Sequence, residues 1–209
     1  MLDKRYQVFI STSGSEMQPE RMVLTQTLVG MGFFSWGLEQ RTPLSTSYAR
    51  RQIDDCDYVV LLLGSQYGEQ SVSGVGYMHL EYIYAVTKQK PMIVFMHEDP
   101  DSRDASLQDA KPELREKFKE FRRLLQQEVD QVFCYRSLRD LELAVRFNMP
   151  QMLERYPVVG WVRPQNTQAL HDEIEQLQAK VAQLKNELGK TEADPFLSLP
   201  KVSMHEAFQ

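Results

Sequence analysis

Cysteine, histidine and tryptophan are scarce in this chain, and positive charge is not in surplus. Only two cysteines, Cys56 and Cys134, occur among 209 residues. They stand far apart in sequence, in apolar surroundings. Two buried thiols in a reducing compartment are the simpler reading, and a structural disulfide is the alternative. With four histidines in all, metal chemistry has little to work with. His97-Glu98-Asp99 has no partner cluster elsewhere, and His79 has no second ligand one helical turn away, so no metal or cofactor is expected. The formal net charge is −5, and the basic residues are mixed with acidic ones. A nucleic-acid surface needs a concentrated basic patch, so nucleic acid is not an expected partner.

Long apolar runs are missing as well. Nothing approaches the roughly 20 residues that span a bilayer, so no membrane association is expected. The opening Met1-Leu2-Asp3-Lys4-Arg5-Tyr6 lacks the apolar stretch of a signal peptide, and a cytoplasmic location is the expectation. There is no Walker-type glycine loop. No histidine and aspartate stand where a Ser-rich loop would need them for a nucleophilic triad.

What is present reads as one globular domain with an appendage. The hydrophobic fraction is 42% and the charged fraction 25%, which rules out wholesale disorder. Tyr6 to Ser11 predicts a strand running into a polar loop, Thr12 to Ser15. A helix follows from about Gln18 to Met31, with Pro19 in its first turn and Gly32 at the position that stops it. Phe33 to Trp36 predicts a second strand, Gly37 to Ser45 a loop, and Ser47 to Asp54 a short helix. Tyr58-Val59-Val60-Leu61-Leu62-Leu63 is the clearest strand, continuously apolar as expected when both sheet faces are covered.

A Gly- and Ser-rich loop after Gly64 leads to a helix from about Tyr77 to Thr87 or Lys88, broken by Lys90-Pro91. Met92 to Met96 predicts a fourth strand. The acidic loop from Glu98 to Asp109 is polar enough to be mobile. Pro112 opens an amphipathic helix with Phe118, Phe121, Leu124, Leu125 and Val129 on one stripe. Val132 to Tyr135 is a fifth strand. Ser137 and Asp140 have capping-box spacing for a helix reaching about Arg155.

Strands alternating with helices imply right-handed crossovers and a five-stranded parallel sheet with helices on both faces. The order 2-1-3-4-5, as in flavodoxin-like folds, puts a topological switch between strands 1 and 3, where ligands bind beyond the carboxyl ends. That locates a site where Ser11 to Ser15 meets Gly64 to Tyr77. The domain is expected over 1–160, a linker and coiled-coil helix over 161–190, and a flexible or partner-docking tail over 191–209.

The coil rests on Leu170, Ile174, Leu177, Val181, Leu184 and Leu188, spaced alternately four and three apart. Leu at d with β-branched residues at two of the three a positions favours a parallel pair. A homo-oligomer is therefore expected through the coil, assisted by the α/β domain. A single amphipathic helix lying on its own domain is the alternative. Gly189 is expected to stop the helix. Lys180 and Lys185 would face each other in the parallel register, which counts mildly against it.

Several stretches together are similar to a known family: Tyr6 through Ser13, Glu20-Arg21, Ile53 through Val60, Gly64-Ser65-Gln66-Tyr67-Gly68, Tyr77 with Glu81-Tyr82 and Tyr84-Ala85, and Lys90-Pro91. They resemble a bacterial TIR-like domain of unknown function, often associated with antiphage defence. Val159-Gly160-Trp161-Val162-Arg163 followed by a coil resembles the stand-alone members. The resemblance spans roughly residues 4 to 188. It implies kinship in fold to TIR domains and, more distantly, to nucleoside deoxyribosyltransferase-like enzymes.

In TIR domains that cleave NAD, a glutamate on the helix after the third strand is essential, and Glu81 matches it. The resemblance thus implies NAD or a related nucleotide as substrate, Glu81 as the catalytic group, and a partner protein in a defence system. Ser11, Thr12, Ser65, Tyr67 and Tyr77 would border the substrate. One departure stands out. Family members commonly read Ser-Tyr-Thr-Glu-x-Glu here, whereas this chain has Gly76-Tyr77-Met78-His79-Leu80-Glu81. A weaker, altered or absent activity would follow if the replaced groups touch substrate.

The chemistry expected of Glu81 is electrostatic. Breaking an N-glycosidic bond builds positive charge on the sugar, and a carboxylate beside the ribose stabilises it. The competing explanation is that Glu81 only complements the helix dipole, worth about 0.3–1 kcal/mol. Ser11, Thr12, Ser65 and Tyr67 can offer hydroxyls to phosphate or ribose, and equally can be ordinary loop residues. Trp36 can stack on a base, although an aromatic in a second strand is more often core. Two functions are therefore expected to compete: a nucleotide-cleaving enzyme and a non-catalytic assembly or nucleotide-sensing module.

Overall fold

Six apolar residues in a row, Tyr58–Leu63, have no side open to water, and the computed structural model makes them the central strand of the molecule. The structure describes residues 4–37, 45–162 and 164–192. The strands are β1 (Gln7–Thr12), β2 (Phe34–Trp36), β3 (Tyr58–Leu63), β4 (Met92–His97) and β5 (Val132–Tyr135). They form one sheet in the order β2-β1-β3-β4-β5, every pair parallel. The helices are α1 (Gln18–Gly30), α2 (Ser45–Asp55), α3 (Tyr77–Thr87), α4 (Pro112–Glu128), α5 (Leu138–Arg155) and α6 (Pro164–Glu192).

The strand alternation sorts the core into two layers. Val8, Ile10, Val60 and Leu62 pack with Leu24 and Leu28 of α1 and with Leu141, Val145 and Met149 of α5. Phe9, Val59, Leu61 and Leu63 pack with Ile53 of α2, Met78 and Tyr82 of α3, and Phe121 and Leu125 of α4. Helices therefore cover both faces, and every residue of β3 is buried, as its unbroken apolar run requires. At roughly 1.5–3 kcal/mol per fully buried large side chain, this layering is the main stabilising term.

Local signals act where the sequence placed them. Gly32, at φ 88°, ends α1 through the Gly32 N–H to Val29 carbonyl bond of 3.0 Å; a side chain there would strain the left-handed backbone. Ser137 accepts from the Asp140 N–H at 3.1 Å, and the Asp140 carboxylate accepts from the Ser137 N–H at 3.1 Å. That reciprocal pair is a complete capping box at the start of α5.

Three expectations need correction. Cys56 is buried, but Cys134 is exposed: it sits on the edge strand β5, where helix cover is incomplete. Trp36 is also about half exposed, at 49%, because β2 is a three-residue edge strand. The helix α6 runs through Gly189 to Glu192; a glycine costs a helix only about 1 kcal/mol and does not by itself end it. The acidic loop after β4 has local structure of its own. It forms two 3₁₀ turns, Pro100–Ser102 and Ala105–Leu107, and makes the buried contacts described below.

The chain divides into two units, Asp3–Trp161 and the residues from Val162 onward. In the first, Arg5 and Trp161 form an antiparallel bridge: the Arg5 N–H donates to Trp161 at 2.8 Å and the Trp161 N–H donates back at 2.6 Å. The second is described as the helix α6, whose six heptad residues are 37–64% exposed. Residues 38–44 of the loop before α2, and the tail beyond Glu192, lie outside the described residues.

Candidate functional site

The carboxyl ends of β1 and β3 meet at the switch point, because α1 and α3 leave the sheet on opposite faces. The β1 lip is Ser11, Thr12 and Ser13, all buried. The β3 lip is Gly64, Ser65 and the loop to Gly76. The two lips touch at Gly68, whose φ is 80° and where an added Cβ would lie 2.3 Å from the Ser13 carbonyl oxygen. Both the conformation and the approach admit only glycine.

Glu81 comes from α3, one turn into the helix, and is 5% exposed. Its carboxylate accepts a hydrogen bond of 2.5 Å from the Ser11 hydroxyl. A buried carboxylate needs donors to offset its lost hydration, and Ser11 supplies one from the neighbouring strand. Tyr77 and Glu81 share a crevice with Thr46, Arg50 and Tyr84 of α2 and α3. Its free volume is about 10 Å³, room for one water at most. The arrangement offers a fixed, buried carboxyl group at the rim of the β1–β3 crevice.

The other expected site residues turn elsewhere. Thr12 is buried on the α1 side of β1, the face opposite Ser11. The Ser65 hydroxyl donates to the Leu107 carbonyl at 2.8 Å. The Tyr67 hydroxyl lies 3.0 Å from His79 Nδ1 and accepts the Gly76 N–H at 3.2 Å, tying the loop to the start of α3. Ser11, Tyr77 and Glu81 are therefore brought together, while Thr12, Ser65 and Tyr67 are not part of that group. His79, one of the altered residues before Glu81, stacks on Phe121 with ring centroids 4.4 Å apart. Burial depresses its pKa, so it stays neutral near pH 7.

A second polar cluster went unread in the sequence. The Ser13 hydroxyl donates to Glu16, and the Arg103 guanidinium donates to Glu20 at 2.6 Å, with both paired side chains 8% exposed. Burial pushes the Glu16 carboxyl above its usual range, partly offset by the Ser13 bond and by Arg103. Glu20 Oε2 has no hydrogen-bond partner among the described residues. The only sequence signal was the Glu20-Arg21 pair within the family-like stretches. Among the described residues, no group of three or more His, Cys, Asp or Glu could hold a metal. No described helix is long and apolar enough to cross a membrane. A hollow of about 550 Å³ along α1, from Gly14 to Gln26, has none of the expected site residues in its described lining.

The profile of a domain of unknown function, DUF4062, matches residues 7–150, which takes in the whole sheet and both lips of the crevice. The chain belongs to the DUF4062 family. No curated protein matches this DUF4062 chain. Among solved structures, it is similar to a CMP N-glycosidase of Clostridium botulinum at 14% identity and a TM-score of 0.47, over 68% of this chain and 99% of the other. It is also similar to an alpha-glucosyltransferase in complex with UDP and a 13-mer DNA containing an HMU base. There the identity is 11% and the TM-score 0.37, over 63% of this chain and 37% of the other. At these scores neither likeness bears on the chemistry of the DUF4062 crevice.

Proposed function

We propose that the α/β unit binds a nucleotide across the β1–β3 crevice and hydrolyses its N-glycosidic bond, with NAD or a close relative as substrate. The observation that carries the reading is the buried Glu81 carboxylate, held by Ser11 beside the switch point. In this reading the bond between C1′ and the base breaks, and its electron pair leaves with the base. The ribose becomes oxocarbenium-like and Glu81 stabilises that charge. Water then adds to C1′ and releases a proton. For NAD the base departs as neutral nicotinamide, so no acid and no metal is needed. Tyr77 borders the ribose, and bacterial antiphage defence is the setting that the family resemblance supports.

The test incubates purified protein, wild type and Glu81→Ala, with NAD and related nucleotides and measures released base. Release by the wild type that falls at least about 10²-fold in the variant supports the assignment. Undiminished release in the variant sinks it.

One observation favours a second reading, a non-catalytic nucleotide-sensing or assembly module: the space beside Glu81 holds no more than a water. Absence of turnover in concentrated or partner-bound protein, with nucleotide binding retained, would select it. In both readings α6 pairs with a second copy through its exposed stripe. Light scattering of a chain cut after Pro164 tests the pairing, and an unchanged oligomer would remove the role of α6.

A further inference from the structure

Glu20 belongs to the first turns of α1, where a carboxylate normally faces water, yet it is 6% exposed. Its partner arrives from 83 residues away. Arg103, in the loop between β4 and α4, donates one nitrogen to Glu20 and turns the other toward Met17 Sδ at 3.2 Å. The guanidinium lies over Gly64. A Cβ there would stand 1.9 Å from Arg103 Nη1 and 2.3 Å from Met17 Sδ, so only a residue without a side chain leaves the seat open.

The ends of the same loop are held by Arg136 and Arg122 on Glu98 and by Arg115 on the Asp109 carbonyl, and two ties fasten its middle and end to the β3 lip. Ser65 donates to the Leu107 carbonyl at 2.8 Å, and the Tyr67 N–H donates to the Asp109 carboxylate at 2.6 Å. Gly64, Ser65 and Tyr67 belong to the β3 lip, whereas Met17 and Glu20 belong to the chain leaving β1. The loop therefore bridges the crevice from one lip to the other. It does so without hydrophobic anchorage: no residue between Met96 and Phe118 belongs to the buried apolar core. Glu20 Oε2 has no hydrogen-bond partner among the described residues, so among them the bolt is only half satisfied. A segment held by a few polar contacts opens locally at lower free energy than the sheet beneath it.

We infer that Glu98–Asp109 is a strap across the β1–β3 crevice, bolted by Arg103 into Glu20, and that ligand enters when the bolt is withdrawn. The opening motion stands on this geometry alone; the identity of the ligand rests on the nucleotide reading above.

Hydrogen exchange of the full chain, read by mass spectrometry, tests the strap. In Glu20→Gln and Arg103→Met, the amides of Arg103, Leu107, Gln108 and Tyr67 should exchange about tenfold faster or more, through local opening at a free energy below that of β3 and β4 in the same variant. Unchanged strap exchange in both variants overturns the inference. If a variant loosens the whole domain, the wild type decides. Its strap must exchange through local opening, at least about tenfold faster than β4, and exchange only on global unfolding overturns the strap.

A titration with NAD separates the two ideas. Arg103→Met should bind NAD about tenfold tighter than wild type, because the bolt no longer competes for the crevice. A freed strap with no NAD binding in either protein keeps the strap and discards the nucleotide reading. NAD binding with identical affinity in both proteins, and with no strap opening, does the reverse.

Discussion

Ser11 and Glu81 lie 70 residues apart in sequence and 2.5 Å apart in space, and the bond between them joins the first strand to the third helix. It fixes the carboxylate against the β1 lip while burial removes competing water. A buried hydrogen bond of this kind is worth about 0.5–3 kcal/mol, the upper part of that range applying to a charged acceptor. Ser11→Ala should therefore destabilise the domain by an amount in that range, read by urea unfolding. It should also lower base release less than Glu81→Ala does, since the carboxylate remains. An equal loss in both variants would mean that Ser11 itself touches the substrate.

The buried pair Glu20–Arg103 predicts an asymmetric response. Arg103→Ala leaves a carboxylate buried and uncompensated, which should cost about 3–5 kcal/mol. For a chain of this size that lowers Tm by on the order of 10 °C. The double change Glu20→Met with Arg103→Met removes both charges and should come much closer to wild type. Calorimetry of the three proteins checks the order, and a double variant no better than Arg103→Ala would refute it.

Glu16 gives a pH dependence of unusual sign for a carboxylate. Its folded pKa is raised from the ordinary 4.5, chiefly because burial disfavours the charged form. The folded state therefore holds the proton more tightly than the unfolded chain. The contribution to stability is complete below pH about 4.5 and is lost as pH rises through the raised value. Arg103 and Asp109, the charged groups that face Glu16, partly oppose each other in this effect. Glu16→Gln cannot ionise, so its Tm relative to wild type should climb between about pH 4 and pH 7. A constant difference across that range would count against a shifted Glu16.

The two thiols should be distinguishable. Cys56 is 3% exposed, its thiol donates to the Ile53 carbonyl at 3.3 Å, and burial pushes its pKa up to about 12. Cys134 is exposed. A thiol reagent should titrate one group per chain in native protein and two in guanidinium. Two rapid equivalents without denaturant would contradict the burial of Cys56.

The sheet was legible because its signals are local. A six-residue apolar run names β3, Ser137 and Asp140 sit at capping distance, and Gly32 follows the last turn of α1. The position of the crevice followed from strand order alone. What stayed hidden depends on partners distant in sequence or on which side an edge residue faces. Glu20 and Arg103 read as ordinary surface charges because nothing nearby shows that they bury each other. Cys134 and Trp36 sit on edge strands, where helix cover is incomplete. Ser65 and Tyr67 lie in a loop, where no periodicity tells which way a hydroxyl points.

The Arg5–Trp161 bridge has a consequence for how the domain could be transplanted. Its first and last backbone segments leave side by side, fastened by two hydrogen bonds. A unit whose ends adjoin can be inserted into a surface turn of another protein, or permuted by joining those ends and cutting a loop. Evolution and protein engineering can therefore transplant the α/β unit as a closed cassette, with the sheet and both lips of its crevice intact.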